Sequence, residues 1–136
     1  MRKMLYLVSR VHELGNDYIA NELKKRGAEE LAPSHGDILF CLHQKGQLTM
    51  KEIAEMIHRT RPTVTALVSK LEKLDYVRRK ASPTDGRSAI VELTEKGSAF
   101  MPAFEEISEG LNQMLYANLT DGEARQLESL LEKALK

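Results

Sequence analysis

The stretch from Leu48 to Leu74 constrains the fold most, because it holds two short amphipathic helices with separate start signals and only about three residues between them. Thr49 and Glu52 form a capping box, and Leu48 with Ile53 supplies the hydrophobic staple that fixes the entering chain. The expected buried stripe is Ile53, Ala54, Met56 and Ile57. After His58 and Arg59, Thr60 caps the next helix, whose first turn accommodates Pro62 because early helical N–H groups have no partner to lose. Val64, Leu67, Val68, Leu71 and Leu74 then recur on one face. The segments from Tyr76 to Lys80 and from Arg87 to Leu93 are β-rich, and Ser82-Pro83-Thr84-Asp85-Gly86 between them is turn chemistry. Two helices joined by a tight turn and followed by a basic, projecting hairpin form a winged helix-turn-helix pattern.

The flanking sequence is helical. Leu7, Val8, Val11, Leu14, Tyr18, Ile19 and Leu23 mark an amphipathic helix that stops near Gly27. A second helix opens at Pro33 with Ser34 as its N-cap, buries Ile38, Leu39 and Leu42, and ends before Gly46. Thr94 caps a long helix carrying Phe100, Phe104, Ile107, Leu111, Met114 and Leu115. Thr120 with Glu123 caps a last one carrying Ala124, Leu127, Leu130, Leu131 and Ala134. The expected fold is therefore mainly α with a small β-hairpin wing. It reads as a single domain over residues 1–136, with a winged core at about 31–94 between dimerisation helices at about 1–27 and 94–136.

Formal net charge is zero, but its distribution is not even. Residues 58–88 hold eight Lys/Arg against three Asp/Glu, whereas residues 89–136 hold four against nine. The basic block coincides with the second short helix and the hairpin, the parts of a winged helix that would meet a phosphate backbone. At about 100° per residue, the side of that helix away from Val64, Leu67 and Leu71 presents Pro62, Thr65, Ala66, Ser69 and Lys73, with Arg61 and Thr63 in the first turn. Small side chains let the backbone approach base edges, Thr methyls and Ala can meet thymine methyls, and hydroxyls can bond bases or phosphates. In the hairpin, Arg78, Arg79, Lys80 and Arg87 make a cationic finger suited to a minor groove, with Asp85 placed to hold Arg87.

The run Leu48-Thr49, Glu52-Ile53-Ala54, Val64-Thr65, Leu71-Glu72-Lys73-Leu74, Val77-Arg78-Arg79, Asp85-Gly86-Arg87 and Val91-Glu92-Leu93-Thr94-Glu95-Lys96-Gly97 resembles the MarR family of winged helix-turn-helix regulators. The resemblance spans nearly the whole chain and is most specific in the Asp-x-Arg wing followed by Leu-Thr-x-x-Gly. It implies a dimeric transcription factor, often a repressor, whose outer helices dimerise and whose DNA affinity is relieved by phenolic or lipophilic ligands or by oxidation. Two positions depart from the pattern: Gly86 stands where a second Arg is frequent, and Asp75 replaces the usual Gly before the first strand.

The remaining chemistry is sparse. His12, His35, His43 and His58 lack metal-ligand spacing, so neither a metal nor another cofactor is expected. No phosphate-binding glycine loop, nucleophile elbow or His-Glu-x-x-His pattern points to an enzyme. A single Cys precludes an intramolecular disulfide, and the short apolar run from Met4 to Val8 is too brief for a signal core or membrane span, so a cytoplasmic protein is expected. The expected partners are double-stranded DNA with a palindromic operator, a second copy of the chain, and a small organic effector lodged near His12, Tyr18, His35 and Leu39. Two alternatives stay open: redox sensing through Cys41, and a winged helix that binds protein without binding DNA.

Overall fold

A computed structural model describes residues 2–82 and 89–136. Helices α1 (Met4–Lys25) and α2 (Pro33–Lys45) lead to strand β1 (Gln47–Thr49), the helix pair α3 (Met50–Ile57) and α4 (Arg61–Lys73), and strands β2 (Val77–Ala81) and β3 (Ala89–Leu93). Two further helices, α5 (Glu95–Tyr116) and α6 (Asp121–Ala134), complete the chain. The mainly helical fold with a small β wing is as expected. Strand β1 is an addition that three residues were too few to signal: it pairs antiparallel with β3, giving a sheet of order β1-β3-β2. No described helix is long and apolar enough to cross a membrane.

The core is built where the two helical faces of the winged lobe meet the sheet. Ile38, Leu39 and Leu42 of α2, Ile53 of α3, Val64, Val68 and Leu71 of α4 and Val91 of β3 are almost wholly buried together. The α3 stripe is shorter than its periodicity suggested. Met50, Ile53 and Ala54 are buried, whereas Ile57 is half-buried and Met56 is exposed, because the helix ends two residues after Glu55 and leaves nothing to cover Met56. Helix α5 joins this core through Met101, Phe104 and Ile107. Gly36 lets α2 and α5 touch, since a Cβ there would meet the Phe104 ring.

Local signals account for most helix ends. Thr49 and Thr120 form the expected capping boxes with Glu52 and Glu123, while Thr60 and Thr94 cap the N–H groups of Thr63 and Gly97. Asp75 takes up a left-handed conformation at φ 68°, doing the work of the glycine usual there. His58 does the same at the end of α3.

Helix α2 departs from expectation at its start. Ser34 is not the N-cap; that position falls to Ala32, which is extended, with Pro33 opening the helix. Ser34 lies inside the first turn, where its Oγ accepts from Arg59 Nη2 at 3.3 Å. The cap chemistry comes instead from His35, whose Nδ1 accepts the Ala32 N–H at 2.8 Å. An imidazole used this way must be neutral with its proton on Nε2. Its burial disfavours the charged form, and so does nearby Lys70, so its pKa is lowered from the ordinary 6.5.

A sign follows for stability against pH. Below about 6.5 the unfolded chain takes up a proton that folded His35 refuses, so the stability it contributes is full above that pH and declines as acid is added. Replacing His35 by Phe, which keeps the bulk and removes the acceptor, is expected to cost about 0.5–2 kcal/mol at neutral pH, the usual worth of a cap. It also flattens the acid-side decline, as read from urea unfolding at a series of pH values.

Candidate nucleic-acid interface

The turn between α3 and α4 is three residues, His58 to Thr60, which fixes α4 across α3 with one face outward. Val64, Val68 and Leu71 point inward, Leu67 and Leu74 are half-buried, and Arg61, Pro62, Thr63, Thr65, Ala66, Ser69 and Lys73 are all exposed. The seven α4 residues expected to face outward therefore form one open surface. At its leading end the Thr60 hydroxyl donates to Thr63 Oγ1 at 3.0 Å, ordering the first turn. Close by, Arg59 bridges to Ser34 at the start of α2, and Lys70 stands near His35. Ser34, Arg59 and Lys70 are not among the residues expected at the interface; the Arg59–Ser34 contact spans 25 positions, so no local pattern marks it.

The sheet sorts the three basic residues of β2, which belong to the expected cationic finger, onto two faces. Val77 is buried, and strand alternation sends Arg79 to the same inner side while Arg78 and Lys80 face out. Register places Arg78 and Gln47 on either side of Glu92, in one outward row. Arg78 Nε donates to Glu92 at 2.8 Å, Gln47 Nε2 at 2.9 Å, and Lys80 Nζ stands 3.4 Å away. Chiefly through the Arg78 hydrogen bond, the Glu92 carboxyl is pulled down from 4.5 to about 2. Two cations of the wing root are thus already engaged with an acid. Arg79 is engaged too, but by α4: its Nη2 donates to Ser69 Oγ at 2.8 Å. Asp85 and Arg87 lie outside the described residues.

The four residues expected around an effector are not gathered into one cavity. His35 and Leu39 are buried in the winged core. Tyr18 is half-buried, its hydroxyl against Gly110 of α5, where any Cβ would collide with it. Only His12 faces open space, hydrogen-bonded to Asn16 at 3.1 Å. It borders a groove of about 1020 Å³ lined mainly by apolar residues of α1, α5 and α6, including Leu7, Val11, Ile19, Leu111, Leu127 and Leu131. Cys41 is buried, and both burial and the charge of Asp37 push its thiol up, opposite to the shift that makes a cysteine reactive.

The Glu92 cluster is open to direct measurement. The Glu92 carboxyl carbon, followed by NMR during acid titration, is expected to report a pKa near 2, and in Arg78→Ala to move up toward 4.5, because the largest of its stabilising partners is gone.

Comparison with known proteins bears on the lobe and on the whole chain. The family model described as "MarR family" matches residues 31–89, which is the winged core from the start of α2 into β3. The regulator MhqR of Bacillus subtilis is 28% identical over 132 residues, covering 96% of this chain and 88% of that one. The repressor IacR of Pseudomonas putida is 27% identical over 127 residues, covering 93% and 74%. Among solved structures, the Staphylococcus aureus MepR–DNA complex superposes with a TM-score of 0.89 at 26% identity, covering 99% of this chain and 98% of that one. The winged core thus matches the MarR family model, and the chain as a whole is similar in sequence and fold to winged-helix transcriptional regulators of that family.

Proposed function

We propose that this protein is a sequence-specific DNA-binding regulator that acts as a homodimer on a palindromic operator, most simply as a repressor released by an organic ligand. The observation that carries the DNA-binding reading is the exposed face of α4. Seven small or polar side chains from Arg61 to Lys73 stand clear of the protein on a helix whose other side is locked into the core. A helix so mounted can enter a major groove with Arg61, Pro62 and Thr63 leading and Thr65, Ala66 and Ser69 beside base edges. Lys73 meets the backbone, and Arg87 is assigned as the contact of the wing with the minor groove. A DNA complex among the similar structures and a repressor among the relatives support the same reading. A protein-binding winged helix would have no use for a surface of this chemistry beside a basic wing.

Dimerisation rests on what a single copy leaves uncovered. Leu5, Leu7, Val8, Val11 and Leu14 of α1 and Leu127, Leu130 and Leu131 of α6 are exposed, and α6 buries none of its residues. Apolar stripes of this extent mark an interface, and a two-fold pairing through them sets two α4 helices to read half-sites about one turn of DNA apart. Residues 31–94 then form the reading head and the flanking helices the clamp. The effector is assigned to the seam between α1 and the winged lobe; of its expected lining, His12 is the accessible residue, on the border of the groove between α1, α5 and α6. Binding of a ligand that prefers one lobe spacing would shift operator occupancy through that difference in affinity. The buried Cys41, with its raised thiol pKa, argues against peroxide as the input.

Two measurements test these assignments. Retardation of duplex DNA is expected to weaken with salt, Arg87→Ala lowering the slope of log affinity against log salt by about one while Thr65→Ala changes base preference at a cost of about 1–3 kcal/mol per lost contact. Equal effects of both variants on every duplex would contradict the division of labour. Introducing Glu at both Leu7 and Leu131 is expected to yield monomers in sedimentation analysis and to weaken operator binding severely; a stable dimer would refute the interface.

A further inference from the structure

Arg79 is the one cation of β2 turned toward α4, and its surroundings define an unusual use for it. It lies in register with the row of buried Val91 and Leu48, on the core side of the sheet. About a third of its side chain is exposed, and its fork spans one turn of α4. Nη2 donates to Ser69 Oγ at 2.8 Å, while Nε stands 3.4 Å from Glu72 Oε1, too poorly aligned for a hydrogen bond, and is buried without another acceptor. A guanidinium clamped in this way has little freedom to follow a phosphate backbone.

The consequence falls on Ser69. A hydroxyl has one proton and two lone pairs. Here one lone pair is taken by a cationic donor, which polarises the O–H bond and strengthens it as a donor in turn. No described residue accepts that proton, and Ser69 lies on the exposed face of α4 between Thr65 and Lys73. We infer that Arg79 is a positioning residue that sets Ser69 as an outward hydrogen-bond donor, so that Ser69 selects an acceptor edge in the major groove. The edges it fits are guanine O6 or N7, thymine O4 and adenine N7, while the amino groups of cytosine and adenine are the wrong partners. The wing root thereby contributes to sequence reading without touching DNA. This inference rests on the DNA-binding reading above and goes beyond it in giving Arg79 an indirect role and Ser69 a polarity.

The test uses the full chain and a pool of duplexes with randomised positions, from which the wild type selects its preferred sequence. Base preference and salt dependence are then compared for Ser69→Ala, Arg79→Lys, Arg79→Gln and the Ser69→Ala/Arg79→Lys pair, with thermal melting to establish that each is folded. Lys keeps the charge a phosphate contact would need but loses the fork that holds Ser69. Expected is a loss of about tenfold in discrimination at the same base pair of each half-site in Ser69→Ala and Arg79→Lys, within the range of a single base contact. The pair is expected to be no worse than either single variant, and the salt slope to stay unchanged. The inference is overturned if Arg79→Lys matches the wild type while Arg79→Gln flattens the salt slope by about one unit, the mark of a direct phosphate contact. It is equally overturned if Ser69→Ala keeps the wild-type preference, a result that does not depend on the folding of any Arg79 variant. In both cases the DNA-binding reading survives, whereas a wild type that selects no sequence removes both.

Discussion

The carbonyl of Tyr76 is the point on which the rest of the structure depends. It accepts the Thr94 N–H at 3.1 Å, and Gly97 lies so close that any Cβ would collide with it. Thr94 Oγ1 donates to the neighbouring Asp75 carbonyl at 2.6 Å and accepts the Gly97 N–H at 3.1 Å. Lys96 Nζ donates to the Leu74 carbonyl at 2.7 Å and sits over the Tyr76 ring, 4.5 Å from its centre. One residue cluster thus satisfies the open carbonyls that follow α4, starts α5 and closes the base of the wing. The Leu-Thr-x-x-Gly motif has a physical reason here: Thr for its double-ended hydroxyl, Gly for the missing Cβ.

Because α5 begins at this junction and ends against α1, it is the structural member that joins the reading head to the outer helices. Its first half is buried against the winged core through Met101, Phe104 and Ile107, and its second half passes to α1, where Gly15 meets Leu111 and Gly110 admits the Tyr18 hydroxyl. Pro102 removes one helical N–H along the way, and the helix continues because its neighbours Met101 and Phe104 are held in the core. A shift of the outer helices would be carried to the end of α4 by a rod pinned at both ends. In the proposed dimer, such a rod would couple lobe spacing to DNA affinity.

Charge plays two different parts across this small sheet. On its outer face Glu92 gathers Arg78, Lys80 and Gln47, and the low carboxyl pKa records how strongly the cluster favours the ionised acid. On its inner face Arg79 is the only charged residue of β2 and turns to α4 for its partners. The alternation of Val77-Arg78-Arg79-Lys80 already contains this division. A period of two places Arg79 with Val77 and apart from Arg78 and Lys80.

Short-range chemistry was legible in the amino-acid order. Thr49, Thr60, Thr94 and Thr120 each start a helix because a hydroxyl can cap only N–H groups two or three residues away, and such spacing is written directly in the chain. The outward face of α4 was legible for the same reason, since helical period alone assigns Thr65, Ser69 and Lys73 to one side. Where partners lie far apart in sequence, only the tertiary structure decided. Strand β1 exists because Gln47 to Thr49 meets β3 across more than forty positions. Ser34 gives up the cap to His35 because the first turn, opened by Pro33, starts two residues earlier and Arg59 claims the serine hydroxyl. His35 and Leu39, expected to line an effector seam, lie in the core because the faces of α2 are apportioned by α4, α5 and the sheet together, an apportionment that no pattern within α2 contains.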